Sequence, residues 1–424
     1  MTNPDGLTSM YRQLGRRLAT LRKQAGHTQH SLAAELDGYG RSAIAGAETG
    51  KPPARDFWVE VDRRLKTGAE LANAYDQIVA AKLAAGTDDL ATVFRPALSD
   101  STSGVGLDFD RIAAVGAGRF RPDPSLVDTF ARILAEQRRV EDVVGSAPLL
   151  VPVTAQLSVL GRILSDAGGA ARPGLVSVAA EWAEFAGWLH TSIGRAQEAE
   201  RYFDLGLTLA AESGGADINS EILSMKGYLA WMRGQVGPMI GLSRAAQKNP
   251  KAFPGQHAVS AIQEARGYAI VGDRRMAGQL LGRSAEPVSR RTERIDQQPD
   301  WLYYHSQSFF DLQYGLVYRY LGRTSRTDAQ KSVRLLTGGL SGLRDDLATA
   351  EWAAEYLYHL VFAQIDSGEP EQACGSAFRI HRIAMATGST RVTRHVERLV
   401  GHLASVFPGL PEVTELAVAV RTGK

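Results

Sequence analysis

The sequence predicts an all-α protein with a small N-terminal domain and a larger C-terminal array of helices. Proline, which interrupts helices, is absent from residues 54–95, 174–237 and 300–369. Apolar residues recur in these stretches with the period of a helix, as at Val178, Trp182, Phe185 and Leu189. Alternating patterns typical of strands are scarce. Together these three observations favour helices throughout the chain.

The composition is that of an ordinary globular protein. Of 424 residues, 44% are hydrophobic and 22% are charged, and this length favours two or three domains. Cys374 is the only cysteine, which excludes an intramolecular disulfide and every zinc or iron-sulfur site built on cysteines. No basic leader precedes an apolar stretch, and no run of about 18 apolar residues occurs. We therefore expect a cytoplasmic protein that does not contact a membrane.

Charge is concentrated near the N-terminus. The formal net charge is +2, but residues 11–51 hold seven basic and three acidic residues. A basic segment on a near-neutral body suggests contact with nucleic acid. A solvated charged face would explain the same run.

The first three helices are predicted from residues 11–53. Leu14, Leu18 and Leu21 share one helical stripe, and Gly26 follows them. Thr28 is placed to cap a short second helix, whose buried side comprises Leu32, Ala33 and Leu36. Residues 37–40 form a turn by composition, and residues 41–48 predict a third helix that ends at residues 49–53. Two short helices joined by a turn constitute a helix-turn-helix.

Two further helices complete the N-terminal domain. A fourth, from Asp56 to Leu65, brings Phe57, Trp58 and Val61 to the same core, and a fifth runs from about Glu70 to Leu83. We therefore predict a five-helix domain over residues 1–85, with its core at 11–70.

The motif resembles the XRE-type, or phage-repressor and Cro-like, helix-turn-helix domain over residues 11–70. The matching positions are Arg22, Gly26, Thr28, Gln29, Leu32, Ala33, Ser42, Ile44, Glu48, Gly50 and Pro52. This resemblance implies a compact DNA-binding domain that works as a homodimer on a two-fold related site in double-stranded DNA. The third helix would enter the major groove with its N-terminal end toward the bases.

The same resemblance assigns roles to individual residues. Gln29 would bond a phosphate and brace the third helix, Arg41 and Ser42 would contact bases, and Thr49 and Lys51 would touch phosphate. The turn is one residue longer than the commonest pattern, and the recognition face is poor in long polar side chains, so thymine methyls and DNA shape would supply part of the specificity. The predicted DNA contacts are Thr28, Gln29, Arg41, Ser42, Ala43, Ala45, Gly46, Thr49 and Lys51.

A linker is predicted over residues 86–124, where Asp, Ser, Gly and Pro replace the helical pattern. Beyond it, residues 125–424 contain a weak repeat, in which a helix reaches a glycine and a second helix follows. These corner glycines are Gly194, Gly234, Gly272, Gly322 and Gly368. Three of them have alanine five residues later, at Ala199, Ala277 and Ala373, where a small side chain lets two helices approach.

The repeat resembles a degenerate array of tetratricopeptide-like helical pairs. An irregular helical bundle is the alternative, and it is all-α as well. The layout as a whole, a helix-turn-helix domain followed by such repeats, resembles a group of actinobacterial regulators.

Aromatic residues are concentrated in one part of the repeat region. Residues 301–320 hold eight of the 32 aromatics in the chain, and Trp352, Tyr356, Tyr358 and Phe362 follow. Stacked helices could gather them around a groove for a peptide or small-molecule effector, with Arg294, Asp311 and Arg319 as polar anchors, although aromatic stripes also form ordinary cores. The predicted groove residues are Trp301, Tyr304, Phe310, Tyr314, Arg319 and Tyr356.

No catalytic motif is found. GxGxxG, Walker-type, GxSxG and HExxH patterns are absent from the sequence, and no histidine cluster predicts a metal site. The sequence therefore predicts a non-enzymatic, cofactor-free, dimeric transcriptional regulator whose repeats serve dimerisation or effector sensing. The alternative is a protein-protein interaction scaffold built on the repeats, with a helix-turn-helix domain that does not bind DNA.

Overall fold

The computed structural model describes residues 4–36, 39–85, 112, 115 and 121–422. Every regular element within these residues is helical, in agreement with the predicted fold class. Up to residue 85 the helices are α1 (Pro4–Gln24), α2 (Gln29–Ala33), α3 (Arg41–Glu48), α4 (Arg55–Leu65) and α5 (Glu70–Ala85). From residue 121 they are α6 (Pro124–Val144), α7 (Ser146–Asp166), α8 (Arg172–Ser192), α9 (Ala196–Ser213), α10 (Ala216–Met232), α11 (Val236–Ala246), α12 (Pro254–Ile270), α13 (Arg274–Glu293), α14 (Gln307–Leu321), α15 (Arg326–Ser341), α16 (Asp345–Ala348), α17 (Ala353–Ser367), α18 (Pro370–Thr387), α19 (Thr390–Val406) and α20 (Pro411–Thr422).

Contacts divide the chain into two compact units. We call Met1–Arg121 with Val151–Asp166 the N-terminal unit, and Pro122–Leu150 with Ala167–Lys424 the C-terminal unit. Most of the linker predicted at 86–124 lies outside the described residues. Of the residues described there, Ile112 and Val115 are helical and buried.

The N-terminal unit has one apolar core among α1–α5. Leu18 of α1, Leu32 of α2, Ile44 of α3 and the Phe57 and Trp58 rings of α4 are buried together. Because these side chains sit at helical spacing, each helix presents its apolar stripe to the same centre. The core thereby fixes the angle between α2 and α3, the two helices of the predicted DNA-binding motif.

The C-terminal unit is built from consecutive helical pairs. The pairs are α8 with α9, α10 with α11, α12 with α13, α14 with α15, and α17 with α18. The short connections make the two helices of each pair antiparallel. The first helices also pack on one another in sequence, since α8 contacts α10, α10 contacts α12, α12 contacts α14 and α14 contacts α17. These first helices therefore form one continuous layer.

Each predicted corner glycine lies between the helices of a pair. At four corners the backbone is left-handed, as at Gly194 with a φ of 80°, and glycine adopts this conformation without strain. Gly322 is needed for a different reason, because a Cβ there would lie 2.8 Å from the backbone of Ala329. The predicted small residues Ala199, Ala277 and Ala373 are all buried at helix contacts.

One helix has the length and composition of a membrane span. The described residues include Ser146–Asp166, with a mean hydropathy of 1.5 over its most apolar window. Half of that window is buried inside the protein, and Pro152, Gln156 and Arg162 interrupt its apolar character.

Candidate functional site

The two helices of the motif follow from local capping. The Thr28 hydroxyl accepts a hydrogen bond from the Ser31 N–H at 3.0 Å, and the Ser31 hydroxyl accepts one from the Thr28 N–H at 2.9 Å. This reciprocal pair starts α2 and confirms the predicted cap. The predicted turn before α3 falls partly outside the described residues, at positions 37 and 38. Gly40 precedes α3 and provides no side-chain cap.

The beginning of α3 is accessible to solvent. Arg41 and Ser42 occupy its first two positions and are both exposed, whereas Ala43, Ala45 and Gly46 are half-buried. Ile44 and Ala47 face the core. Arg41 can therefore reach outward from the N-terminal end of α3, where a guanidinium can donate twice to a guanine edge.

A buried ion pair holds the other end of α3. Arg22 of α1 pairs with Glu48 through Nε and Oε1 at 2.6 Å, and its Nη1 donates to the His27 carbonyl at 2.7 Å. Gln29 Nε2 donates to Glu48 Oε2 at 2.7 Å. Gln29 therefore braces α3, as expected, and its contact with phosphate remains a prediction. One carboxylate ties α3 to both α1 and α2.

Glycine allows α1 to approach α3 closely. A Cβ at Gly15 would overlap the Ala47 carbonyl oxygen and would lie 2.7 Å from that of Glu48. Real Cβ atoms do not occupy such positions, so α1 and α3 pack backbone to backbone at this point. Gly15 was not among the residues predicted from the sequence, although a glycine inside a strong apolar stripe is a signal of close packing.

A basic side chain lies beside the turn that follows α3. Gly50, with a φ of 91°, packs against Arg12, since a Cβ there would lie 2.8 Å from Arg12 Cγ. Arg12 and Lys51 are both exposed. The Thr49 hydroxyl donates to the Gly46 carbonyl at 2.9 Å and so terminates the helix. Within the described residues, neither Arg41 nor Lys51 forms an ion pair with a carboxylate.

A second candidate site is a cavity inside the C-terminal unit. The space between its lining atoms amounts to about 900 Å³, and this figure includes the space open to solvent at its mouth. The wall comes from the first helices of the pairs, from α6 and from the segments before α14 and α17. None of the lining residues belongs to the second helix of a pair. The lining residues are Arg138, Glu141, Asp142, Glu184, Phe185, Trp188, Glu221, Ser224, Met225, Tyr228, Val259, Gln263, Trp301, Tyr303, Tyr304, Phe309, Gln313, Trp352 and Tyr356.

The structure brings half of the predicted groove residues to this cavity. Trp301, Tyr304 and Tyr356 line it. Phe310 is fully buried under Arg291, whose Cζ is 5.5 Å from the ring centre. The Tyr314 hydroxyl lies 2.9 Å from Ser284 Oγ.

The predicted polar anchors lie outside the cavity lining. Arg319 Nη1 pairs with Asp366 Oδ2 at 2.8 Å. Arg294 donates to Gln297 Oε1 at 2.8 Å, and Asp311 accepts from Gln307 at 3.0 Å.

Sequence reasoning missed the charged wall of the cavity. Glu184 Oε2 pairs with Arg138 Nη2 at 2.7 Å. Asp142 accepts from the Tyr303 hydroxyl and, at 2.9 Å, from Trp352 Nε1. The signal available in the sequence was a charged residue on the buried face of a helix. Glu184 is an example, because it lies between Ala183 and Phe185.

Burial perturbs the pKa values of two carboxyl groups of the cavity. Burial, together with the neighbouring carboxylates of Asp142 and Glu351, raises the pKa of Glu141 to about 8, against a hydrogen bond from Ser146 that lowers it. Burial and the nearby Glu184 raise the pKa of Glu221 to about 7. Both groups therefore titrate near neutral pH. Such perturbation is common at binding sites.

Comparison with known proteins identifies the first of the two sites. A family model described as a helix-turn-helix domain matches residues 13–74, which include the second half of α1, all of α2, α3 and α4, and the start of α5. A search of curated proteins with the whole chain found no match. The exposed end of α3, its brace to α1 and α2, and the family match agree in placing a helix-turn-helix domain at the N-terminus of this otherwise helical protein.

Proposed function

We propose that the protein is a sequence-specific, DNA-binding transcriptional regulator of the XRE type that acts as a homodimer. The observation that carries this proposal is the exposed N-terminal end of α3, with Arg41 and Ser42 on a helix whose other end is held by Arg22 and Gln29 through Glu48. A recognition helix must be rigid as well as accessible, because a mobile helix would lose the geometry that bidentate contacts with bases require.

Electrostatics support the same proposal. Arg41, Lys51 and Arg12 are exposed at or beside α3, while the acidic Glu48 is drawn inward by Arg22. The surface offered to a phosphate backbone is therefore basic. Exposed cations of this kind supply most of the affinity of DNA-binding proteins at low salt.

The C-terminal unit would serve dimerisation, effector sensing or both. An effector that binds one arrangement of the helical pairs better would change the separation of two recognition helices, and with it the affinity for the operator. The consecutive packing of first helices around a cavity supports this role. We infer that the protein works in the cytoplasm, without catalysis and without a cofactor.

The test is selection of genomic DNA fragments by the purified full-length protein at about 150 mM salt, followed by sequencing. We expect a recurrent, near-palindromic sequence. Arg41→Ala should lose preference at one position of each half-site, at a cost of about 1 to 3 kcal/mol. Lys51→Ala should weaken binding to all sequences alike, because phosphate contacts carry no sequence information.

Arg201→Ala is the matched control, since it removes the same charge from an exposed position on α9. It should select the same DNA as the unmodified protein. Retained DNA without a common sequence, unchanged by Arg41→Ala, would contradict the proposal. The interaction-scaffold function would then be favoured.

A further inference from the structure

We propose that the cavity of the C-terminal unit binds a small organic cation that carries an apolar or aromatic body, such as an amine or a quaternary ammonium compound. For its regulatory consequence this inference rests on the proposed function, in which the C-terminal unit senses an effector. The binding step itself can be measured without DNA.

The charge of the wall is the first argument. Four carboxyl groups line the cavity, from Glu141, Asp142, Glu184 and Glu221, and Arg138 is the one basic side chain among the lining residues. Arg138 is already paired with Glu184. A ligand of positive charge would offset the excess of carboxyl groups, whereas an anion would add to an unfavourable balance.

The groups behind the wall do not reverse this balance. Arg391 of α19 lies close enough to Glu141 to influence it. Its Nη1 is 2.9 Å from Glu355 Oε2 and its Nη2 is 3.6 Å from Glu351 Oε1. Arg266 is a second buried guanidinium behind the wall, and its Nη2 donates to Gln263 Oε1 at 2.9 Å. The two carboxylates therefore balance these two guanidinium groups.

The aromatic lining is the second argument. Rings that surround a cation attract it through their electron-rich faces, and this attraction is strongest where water is excluded. Arg138 already shows this chemistry within the protein, because its Cζ lies 4.9 Å from the centre of the Phe185 ring. Nine aromatic residues line the cavity: Phe185, Trp188, Tyr228, Trp301, Tyr303, Tyr304, Phe309, Trp352 and Tyr356.

Two hydroxyl groups at the cavity provide the third argument. Ser224 is only 4% exposed and lines the cavity, yet its Oγ makes no hydrogen bond with any described residue. The Tyr228 hydroxyl likewise has no hydrogen-bond partner among the described residues. Both oxygens can accept from an ammonium N–H.

Titration of the wall gives the binding a pH dependence. Glu141 faces Asp142 on its own helix, Glu351 from the segment before α17, Ser146 at the start of α7, Tyr303 and Arg391. Its raised pKa leaves it largely protonated at neutral pH. A cation in the cavity favours the ionised form, so binding should release protons and should strengthen as the pH rises toward about 8.

The experiment is isothermal titration calorimetry of the full-length protein without DNA, at about pH 6.5 and about pH 8.5. The probes are choline, with its neutral isostere 3,3-dimethylbutan-1-ol, and benzyltrimethylammonium, with benzyl alcohol. Permanent cations are used because they do not titrate. We expect each cation to bind about tenfold more tightly than its neutral counterpart, with a larger preference at the higher pH.

Two variants localise the effect. Glu141→Gln resembles the protonated acid, so it should fold normally. It should weaken binding of the cations at about pH 8.5, but not of the alcohols, and should leave only the smaller pH dependence that comes from Glu221. Ser224→Ala should weaken binding of a protonated amine, for which benzylamine is the probe, and should leave benzyltrimethylammonium unaffected. Glu397→Gln, which removes an exposed carboxylate of α19, is the control and should change nothing.

Equal binding of cations and neutral isosteres would overturn the proposal, and so would an absence of cation binding at about 10 mM. Unaltered cation binding by Glu141→Gln would overturn it as well. These outcomes are independent of the DNA selection. If the DNA selection fails but cations still bind, the proposed regulator function is wrong and the proposed ligand site stands. If the selection succeeds but cations do not bind, only the proposed ligand site is wrong.

Discussion

The two units of the protein differ in where the charged residues of their candidate sites lie. In the N-terminal unit, the basic residues Arg41 and Lys51 stand exposed at α3. In the C-terminal unit, Glu141, Glu184 and Glu221 are buried around a cavity. Exposed charges keep their hydration and can attract a large polyanion from a distance. Buried charges lose their hydration, so a small ligand that replaces the lost water contacts would stabilise them.

This difference indicates which part of each unit would determine its binding specificity. The N-terminal unit holds an apolar core and the buried Arg22–Glu48 ion pair, and the contacts proposed with DNA lie on its exposed surface. The C-terminal unit accepts the cost of several buried carboxyl groups. A cost of that kind is usually retained at a binding site rather than for stability alone.

The largest expected effect concerns the buried ion pair of the N-terminal unit. Arg22→Ala should destabilise this unit by about 3 to 5 kcal/mol, because the part-buried Glu48 would lose its positive partner and keep only the neutral Gln29, and the His27 carbonyl would lose its donor. Hydrogen exchange of peptides from α3 in the full-length protein measures the loss. Arg16→Ala, at an exposed position of the same helix, should change exchange little. Similar protection in both variants would show that the pair does not hold α3.

The next effect is a pH-dependent change in the stability of the C-terminal unit, and it concerns Glu141. The pKa of Glu141 is raised from 4.5 to about 8, so the folded state favours its protonated form. Its contribution to stability is complete below about pH 4.5 and is lost as the pH rises through about 8. Glu141→Gln should therefore gain stability over the unmodified protein, by a few kcal/mol, between about pH 5 and about pH 9.

Denaturant unfolding followed by tryptophan fluorescence measures this gain, since Trp182, Trp188, Trp231, Trp301 and Trp352 all lie in the C-terminal unit. Glu397→Gln should show no such trend. A constant difference between Glu141→Gln and the unmodified protein at all pH values would mean that Glu141 is not protonated in the fold.

The smallest effects come from a matched pair of glycine substitutions in the N-terminal unit. Gly15→Ala should destabilise α3 by about 1 to 3 kcal/mol, because its Cβ meets the backbone of Ala47 and Glu48. Gly46→Ala should stabilise the unit by up to about 1 kcal/mol, since the nearest atom to its Cβ, the Lys51 carbonyl oxygen, is 3.8 Å away. Hydrogen exchange in α3 measures both effects. If both substitutions changed the protection of α3 in the same direction, the close approach of α1 and α3 would be refuted.

Local signals in the sequence account for the parts of the fold that could be predicted. The fourth helix was expected from Asp56 to Leu65 and runs from Arg55 to Leu65, and the second begins at the predicted Thr28 cap. Capping, helical periodicity and corner glycines depend on residues within one or two turns of each other. They can therefore be read along the chain.

What the sequence determined by itself was the helical class, the helix-turn-helix and the glycine corners of the helical pairs. Only the tertiary structure decided which aromatics share a cavity and which charges join them. Asp142 receives a hydrogen bond from Trp352, which is 210 residues away, and another from Tyr303, which is 161 residues away. The physical reason is that a cavity forms where distant helices stack, and stacking is set by the summed packing of the first-helix layer rather than by any local pattern.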